Sequence, residues 1–333
     1  MKQYDIYSIG NALVDIDFKV TPELLAKHGI EKGVMTLIDS DRSEYLLNTF
    51  GDDSEAKACA GSAANTTILL SQLGGKAYYS GRVGNDEMGD VFCNALKNRG
   101  VSTNIPDSNR QHGSTGTCLV MVTPDTDRTM NTHLGVAGSF TKKDLDEHAI
   151  AQTEYFYIEG YLIPSDSGFE AALKGCELAK KHGTKIVLTL SDRNLVKAFK
   201  DRFLEVLKHD IDMIFCNDLE AQAFSDHHDT REASQMLQAH CKQFVVTLGP
   251  KGAHVFDGNN FFDSPAYDVP PIDSVGAGDT FAGGFLYALT HGFTFEKAAE
   301  IANFASGLVV GKYGPRLDED EIEKIKNKIN ELK

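Results

Sequence analysis

Short runs of apolar, β-branched residues recur along this chain, each preceded by an amphipathic stretch: Ile186-Val187-Leu188-Thr189-Leu190, Met213-Ile214-Phe215-Cys216 and Phe244-Val245-Val246-Thr247-Leu248. A strand without a polar face must be covered on both sides, and helices between successive strands of a parallel sheet do that. The expected fold is therefore α/β, with ligands at the carboxyl ends of the strands. Two stretches depart from the pattern, near residues 12–40 and 112–134, with alternating positions such as Val14-Asp15-Ile16-Asp17-Phe18 and, in the second, the run Cys118-Leu119-Val120-Met121-Val122. Such segments suit antiparallel strands with one solvated face. They read as a small β accessory element on the main domain, with edge strands of the same sheet as the alternative. No repeat, low-complexity segment or Pro-rich linker divides the 333 residues, which argues against two beads on a string.

The charge balance of 33 Lys+Arg against 48 Asp+Glu leaves −15. Binding nucleic acid requires a concentrated basic surface, so no nucleic-acid partner is expected. No apolar run is long enough to span a bilayer, and Met1 leads directly into Asp5-Ile6-Tyr7-Ser8-Ile9-Gly10 without a leader, so the chain is expected to be soluble and cytoplasmic, with no membrane partner. Six scattered cysteines show no Cys-x-x-Cys spacing and read as reduced, mostly buried thiols.

The segment Asp273-Ser274-Val275-Gly276-Ala277-Gly278-Asp279-Thr280-Phe281 carries the chemistry. Small residues stop abruptly, and a helical apolar pattern follows through Phe285 and Leu289 to Gly292. A helix that opens on Gly-Ala-Gly presents unobstructed backbone N–H groups and the positive end of its dipole, which is an anion site. Asp279 sits in its first turn. An acid there is ordinarily favoured by the dipole alone, but a carboxylate beside a bound phosphate is repulsive unless it works as a base for an attacking hydroxyl. Neither Gly-x-x-x-x-Gly-Lys-Ser/Thr nor Gly-x-Gly-x-x-Gly fits the segment, because Phe281 stands where the last glycine of the second pattern would be; P-loop and dinucleotide-binding readings fall.

These residues resemble the second signature of the PfkB/ribokinase-like family of carbohydrate and nucleoside kinases. Further segments in order are similar to the same family: Ala60-Gly61-Ser62-Ala63-Ala64-Asn65, Gly81-Arg82-Val83-Gly84-Asn85-Asp86, Asn217-Asp218-Leu219-Glu220 and Thr247-Leu248-Gly249-Pro250-Lys251-Gly252. The resemblance implies one ribokinase-like domain over 1–333, a three-layer α/β/α unit with a mainly parallel sheet and a small β lid formed by about 12–48 and 110–135. It implies ATP and Mg²⁺, with Asp279 as the base and the amides of Gly276, Ala277 and Gly278 stabilising the transferring phosphoryl group. Asp15, Gly61 and Asn65 would hold the sugar hydroxyls. Asn217 and Glu220 would hold Mg²⁺ and phosphates, largely through water, while Thr247, Gly249, Gly252 and Asn303 would line the nucleotide. Asp273, with the Gly311–Gly314 turn, corresponds to the K⁺ site of many members.

Gly10-Asn11-x-Leu13-x-Asp15, Thr115-Gly116-Thr117-Cys118 and Ile158-x-Gly160-Tyr161 look more like the nucleoside branch of that family than the ribose branch. The implied acceptor is adenosine or a related purine nucleoside. A purine needs an apolar slot, for which Tyr161, Leu162, Leu134, Met35 and Leu37 are candidates, and Arg128 matches a lid arginine that reaches the phosphates. The alternatives are a kinase for ribose, fructose or ketodeoxygluconate, and a non-catalytic nucleotide sensor. The chain would act on its small molecule as a monomer or homodimer.

Overall fold

The computed structural model describes residues 2–51, 54–107, 110–125 and 128–333. In chain order its strands are β1 (Tyr4–Ile9), β2 (Leu13–Lys19), β3 (Met35–Leu37), β4 (Ser54–Ala60), β5 (Ala77–Ser80), β6 (Ser102–Thr103) and β7 (Gly116–Val122). They continue with β8 (Arg128–His133), β9 (Thr153–Ile158), β10 (Lys185–Thr189), β11 (Met213–Asn217), β12 (Gln243–Thr247), β13 (Ala253–Phe256) and β14 (Phe261–Ser264). Nine form one sheet in the order β14-β13-β12-β11-β10-β9-β1-β5-β6, parallel except where β13 pairs antiparallel with β12 and β14.

Successive residues of these strands point into two different cores, as the continuous apolar runs require. Val187, Met213, Phe215 and Val245 join one; Ile186, Leu188, Ile214 and Val246 join the other. Helices cover both faces, which is the expected three-layer arrangement. The chain leaves β1 towards β5 on one side and returns through β9 on the other, so the order reverses between β1 and β9. Ligand crevices form at the carboxyl ends of strands beside such a reversal. Gly10-Asn11 and Glu159, which follow those two strands, lie there.

The accessory strands form a separate sheet in the order β3-β8-β7-β2-β4, which excludes the edge-strand alternative. It differs from the expectation in two respects: β4 belongs to it, pairing antiparallel with β2 from Leu13↔Ala60 to Phe18↔Ser54, and it is mixed rather than antiparallel, because β2 runs parallel to β7 and β3 parallel to β8. Asp15 lies within β2, in the accessory stretch, because Gly10-Asn11-Ala12 breaks the chain between the two sheets.

Two helices set the site. Ala277–Thr290 is anchored by buried Phe281 and Phe285, whose rings meet Phe215 edge-on with centroids 6.5 and 5.6 Å away; each contributes about 1.5–3 kcal/mol of burial. It runs against Ser62–Gln72 at close range, since a Cβ on Gly283 would lie 2.8 Å from Thr66 O. All six cysteines are free. Among the described residues, no helix is long and apolar enough to cross a membrane.

Candidate active site

Gly276 starts the Ala277–Thr290 helix with a left-handed φ of 77° and no side-chain cap. A Cβ there would meet Pro315 Cβ at 2.6 Å, so conformation and space both demand glycine. Beyond Gly278 the space is open, with nothing within 4 Å of a Cβ position. The Ala277 N–H closes the turn onto Ser274 O at 3.2 Å. Asp279 is held by the neighbouring helix: Ser62 Oγ donates to its Oδ1 at 2.6 Å and Asn65 Nδ2 to its Oδ2 at 2.9 Å. Burial pushes its pKa up, against those two hydrogen bonds and the Arg316 charge. A carboxylate raised from its ordinary acidity and fixed by donors is a better proton acceptor than a solvated one.

Gly61 is the N-cap of Ser62–Gln72, so Asn65 lies inside that helix and does not cap it. Its Oδ1 accepts from both Nε and Nη2 of Arg316 at 3.1 Å. Asp15 faces out of β2 in a row with Ala58, Cys118, Thr132 and Leu37, the residues paired with it across the small sheet. Its carboxyl is pushed up to about 7, first by burial and then by Asp17, while Arg316 and Arg128 oppose the rise. Tyr161 spends its hydroxyl on Ser191 O at 3.2 Å. Leu162 is core, which removes it from the proposed slot; Met35 and Leu37 share the Asp15 side of the small sheet through the Met35↔Met130 and Leu37↔Thr132 pairs.

On the other side of the anion helix, Asn217 and Glu220 form a reciprocal capping box: Asn217 Oδ1 accepts from Glu220 N at 2.8 Å, and Glu220 accepts from Asn217 N and Nδ2 at 3.0 and 2.7 Å. Burial pushes Glu220 up to about 7. Thr247 ends β12 and donates to Cys216 O at 3.4 Å. Gly249 and Gly252 shape the following turn, Gly252 lying against the Ser264–Ala266 backbone. Asn303 is buried, with Nδ2 donating to Ser264 Oγ at 2.9 Å, and lines a cavity of about 460 Å³ with Pro265, Ala266, Tyr267 and Phe304. Asp273 pairs with Arg128 at 3.1 Å, their side chains only 6% and 10% exposed, and also accepts from Val275 N and Gly314 N. The structure thus joins the expected cation ligand to the expected phosphate arginine.

The model of the pfkB family carbohydrate kinases matches residues 51–322. The chain belongs to this family. The adenosine kinase of Saccharomyces cerevisiae is 29% identical over 94% of this chain and 97% of its own length. Two solved structures, an adenosine kinase from Sinorhizobium meliloti and a probable sugar kinase from Rhizobium etli, each superpose with a TM-score of 0.90 at 33% identity, over 98% of this chain and 99% of theirs. This pfkB kinase is accordingly a phosphotransferase with an alcohol group as acceptor.

Three residues of the kinase site escape the sequence reading. Ser62 donates to Asp279. Glu159, 1% exposed at the end of β9, accepts from Asn11 N at 3.1 Å and Ala63 N at 2.8 Å, tying β1 to the start of the acceptor helix, and burial raises it to about 7. Arg316 reaches Asp279 through Asn65. Among the described residues no cluster of three or more His, Cys, Asp or Glu could hold a metal alone. A hydrated Mg²⁺ needs few protein ligands, and Asn217 and Glu220 are the residues that would flank one here.

Proposed function

We propose that this kinase transfers the γ-phosphoryl group of ATP to the primary hydroxyl of a ribosyl substrate, adenosine or a related purine nucleoside. The observation that carries the acceptor is the small-sheet face. Asp15, a polyol clamp able to accept from two neighbouring hydroxyls, shares it with Met35, Leu37 and Met130, and Leu37 is 59% exposed. A purine requires such an apolar surface beside the sugar site; a free sugar does not. This sheet is the lid in the reading.

In the transfer, Asp279 accepts the proton of the acceptor hydroxyl as its oxygen bonds to the γ-phosphorus and the bond to ADP breaks. The N–H groups of Gly276 and Gly278 stabilise the charge on the phosphoryl oxygens, while that of Ala277, expected from the sequence to join them, closes the turn onto Ser274 O. Mg²⁺ supplies neutralisation of the triphosphate when bound. Asn217, Glu220, Thr247, Gly249 and Gly252 surround the phosphates, and Asn303 with its cavity supports the adenine side. Asp273 would take a monovalent cation only by sharing a carboxylate that already serves Arg128. The reaction is placed in the cytoplasm.

The acceptor reading is tested by ADP release with a panel of nucleosides and sugars at saturating Mg·ATP. Turnover with purine nucleosides is expected. A specific observation keeps a sugar acceptor as second reading: Asp17 lies two residues from Asp15 on the same strand face and adds negative charge beside it, which suits a polyhydroxylated acceptor. Turnover confined to hexoses or sugar acids would replace the first reading with the second.

A further inference from the structure

Gly314, Pro315 and Arg316 are consecutive residues that grip three different parts of the site. Gly314 N donates to Asp273 Oδ2 at 2.9 Å, fixing the loop that enters the anion turn. Pro315 fills the space over Gly276 where a side chain would otherwise stand. Arg316 crosses to the acceptor side, placing Nε and Nη2 on Asn65 Oδ1 at 3.1 Å and Nη2 near Cys59 Sγ at 3.2 Å in β4 of the small sheet.

A guanidinium has donors only. It therefore meets the oxygen of the Asn65 amide and turns the Nδ2 towards Asp279, where it donates at 2.9 Å. With the amide reversed, Asn65 would present an oxygen to the carboxylate and the base would lose one of its two side-chain donors. We infer that Arg316 is a positioning residue for the catalytic base, and that the Gly314–Arg316 clip holds the anion turn and the acceptor clamp in one geometry. The inference rests on the reading of Asp279 as that base.

The electrostatics agree. Glu159, Glu220, Tyr157 and Tyr161 face Asp279 from the ends of β9 and β11 and each couples to its charge, whereas Arg316 is the cation acting on it. Arg316 also acts on Asp15, where Asp17, Asp273 and Arg128 are the other charges.

The experiment compares Arg316→Ala with the intact protein in the kinase assay over a range of pH. A base displaced by a fraction of an ångström is expected to lose roughly 10- to 100-fold in kcat/KM for the acceptor, with KM for ATP little changed. The acid limb should move to higher pH, because a cation near the base is gone, and added guanidinium ion should restore part of the rate. Arg316→Gln, neutral and similar in size, should show the same limb shift if the alanine variant fails to fold. A lowered melting temperature with an unmoved limb and no rescue would mean a merely structural arginine and overturns the inference. Asp279→Asn runs alongside: near-normal turnover there removes the base itself, whereas an inactive Asp279→Asn with normal Arg316 variants removes Arg316 alone.

Discussion

At Asp15 the charge needed for function opposes the environment. Burial and Asp17 raise its carboxyl to about 7, yet the ionised form, with both oxygens acting as acceptors in charge-assisted hydrogen bonds, is the one that holds two hydroxyls strongly. The acid must therefore be deprotonated to bind, and the acceptor KM should rise as pH falls below about 7 while KM for ATP stays level, a split read from initial rates at several pH values. Asp15→Asn should raise the acceptor KM by about 10-fold or more and abolish that dependence; an unchanged KM would remove Asp15 from the acceptor site. Asp279, Asp15 and Asn65 stand out in the sequence because glycines and small residues punctuate the chain around them, but Asn65 stands out there as a hydroxyl ligand, whereas the structure commits its amide to Asp279 and Arg316. Glu159 and Arg316 are not. Each is a lone charged residue whose role comes from convergence of distant segments: Glu159 on Asn11 and Ala63, Arg316 on Asn65, 251 positions away.

The relation between two elements matters as much as any side chain. Gly283 lets Ala277–Thr290 approach Ser62–Gln72, and only at that separation do Ser62 and Asn65 reach Asp279. In Gly283→Ala the new Cβ would lie 2.8 Å from Thr66 O and 3.2 Å from Leu69 Cβ, so the helices must part. A loss of about 10-fold or more in kcat is expected with helical content retained by circular dichroism; full activity would show that the approach is not needed. The large-sheet strands and this helix are legible because their apolar runs and glycine turn are local signals. Strand β4 is not: Ser54-Glu55-Ala56-Lys57-Ala58-Cys59-Ala60 favours a helix by composition, and pairing with β2 overrides that preference. Likewise Asn217-x-x-Glu220 is equally a capping box, which is what the structure makes of it.

Over the whole molecule the charge of −15 opposes an anionic substrate such as Mg·ATP, so the proposed function needs local attraction from the helix N-terminus and Arg316, because Arg128 is already paired with Asp273. Burial of a few carboxyls sets the pH dependence of stability. Asp15, Glu159 and Glu220 have folded pKa values near 7, above the ordinary carboxylate range. Raised values mean that the folded state holds protons the unfolded chain has released, a contribution fully present below the ordinary range and lost as pH rises through about 7. Carboxylates lowered by partners, such as Glu147 at about 2, titrate below this window and do not offset it. Without nucleotide or Mg²⁺, the melting temperature should thus be higher near about pH 5.5 than near about pH 8; the reverse order in a thermal scan would show that these carboxyls are ionised at no cost. In the proposed function, two sheets, one reversal of strand order and two helices without side-chain caps bring acceptor and phosphate together, and the claim that unites them is proton transfer to Asp279. Steady-state kinetics of Asp279→Asn, with ATP binding followed by calorimetry, tests it most directly. The account predicts kcat lower by about 10²- to 10⁴-fold with ATP still bound, and near-normal turnover would contradict it.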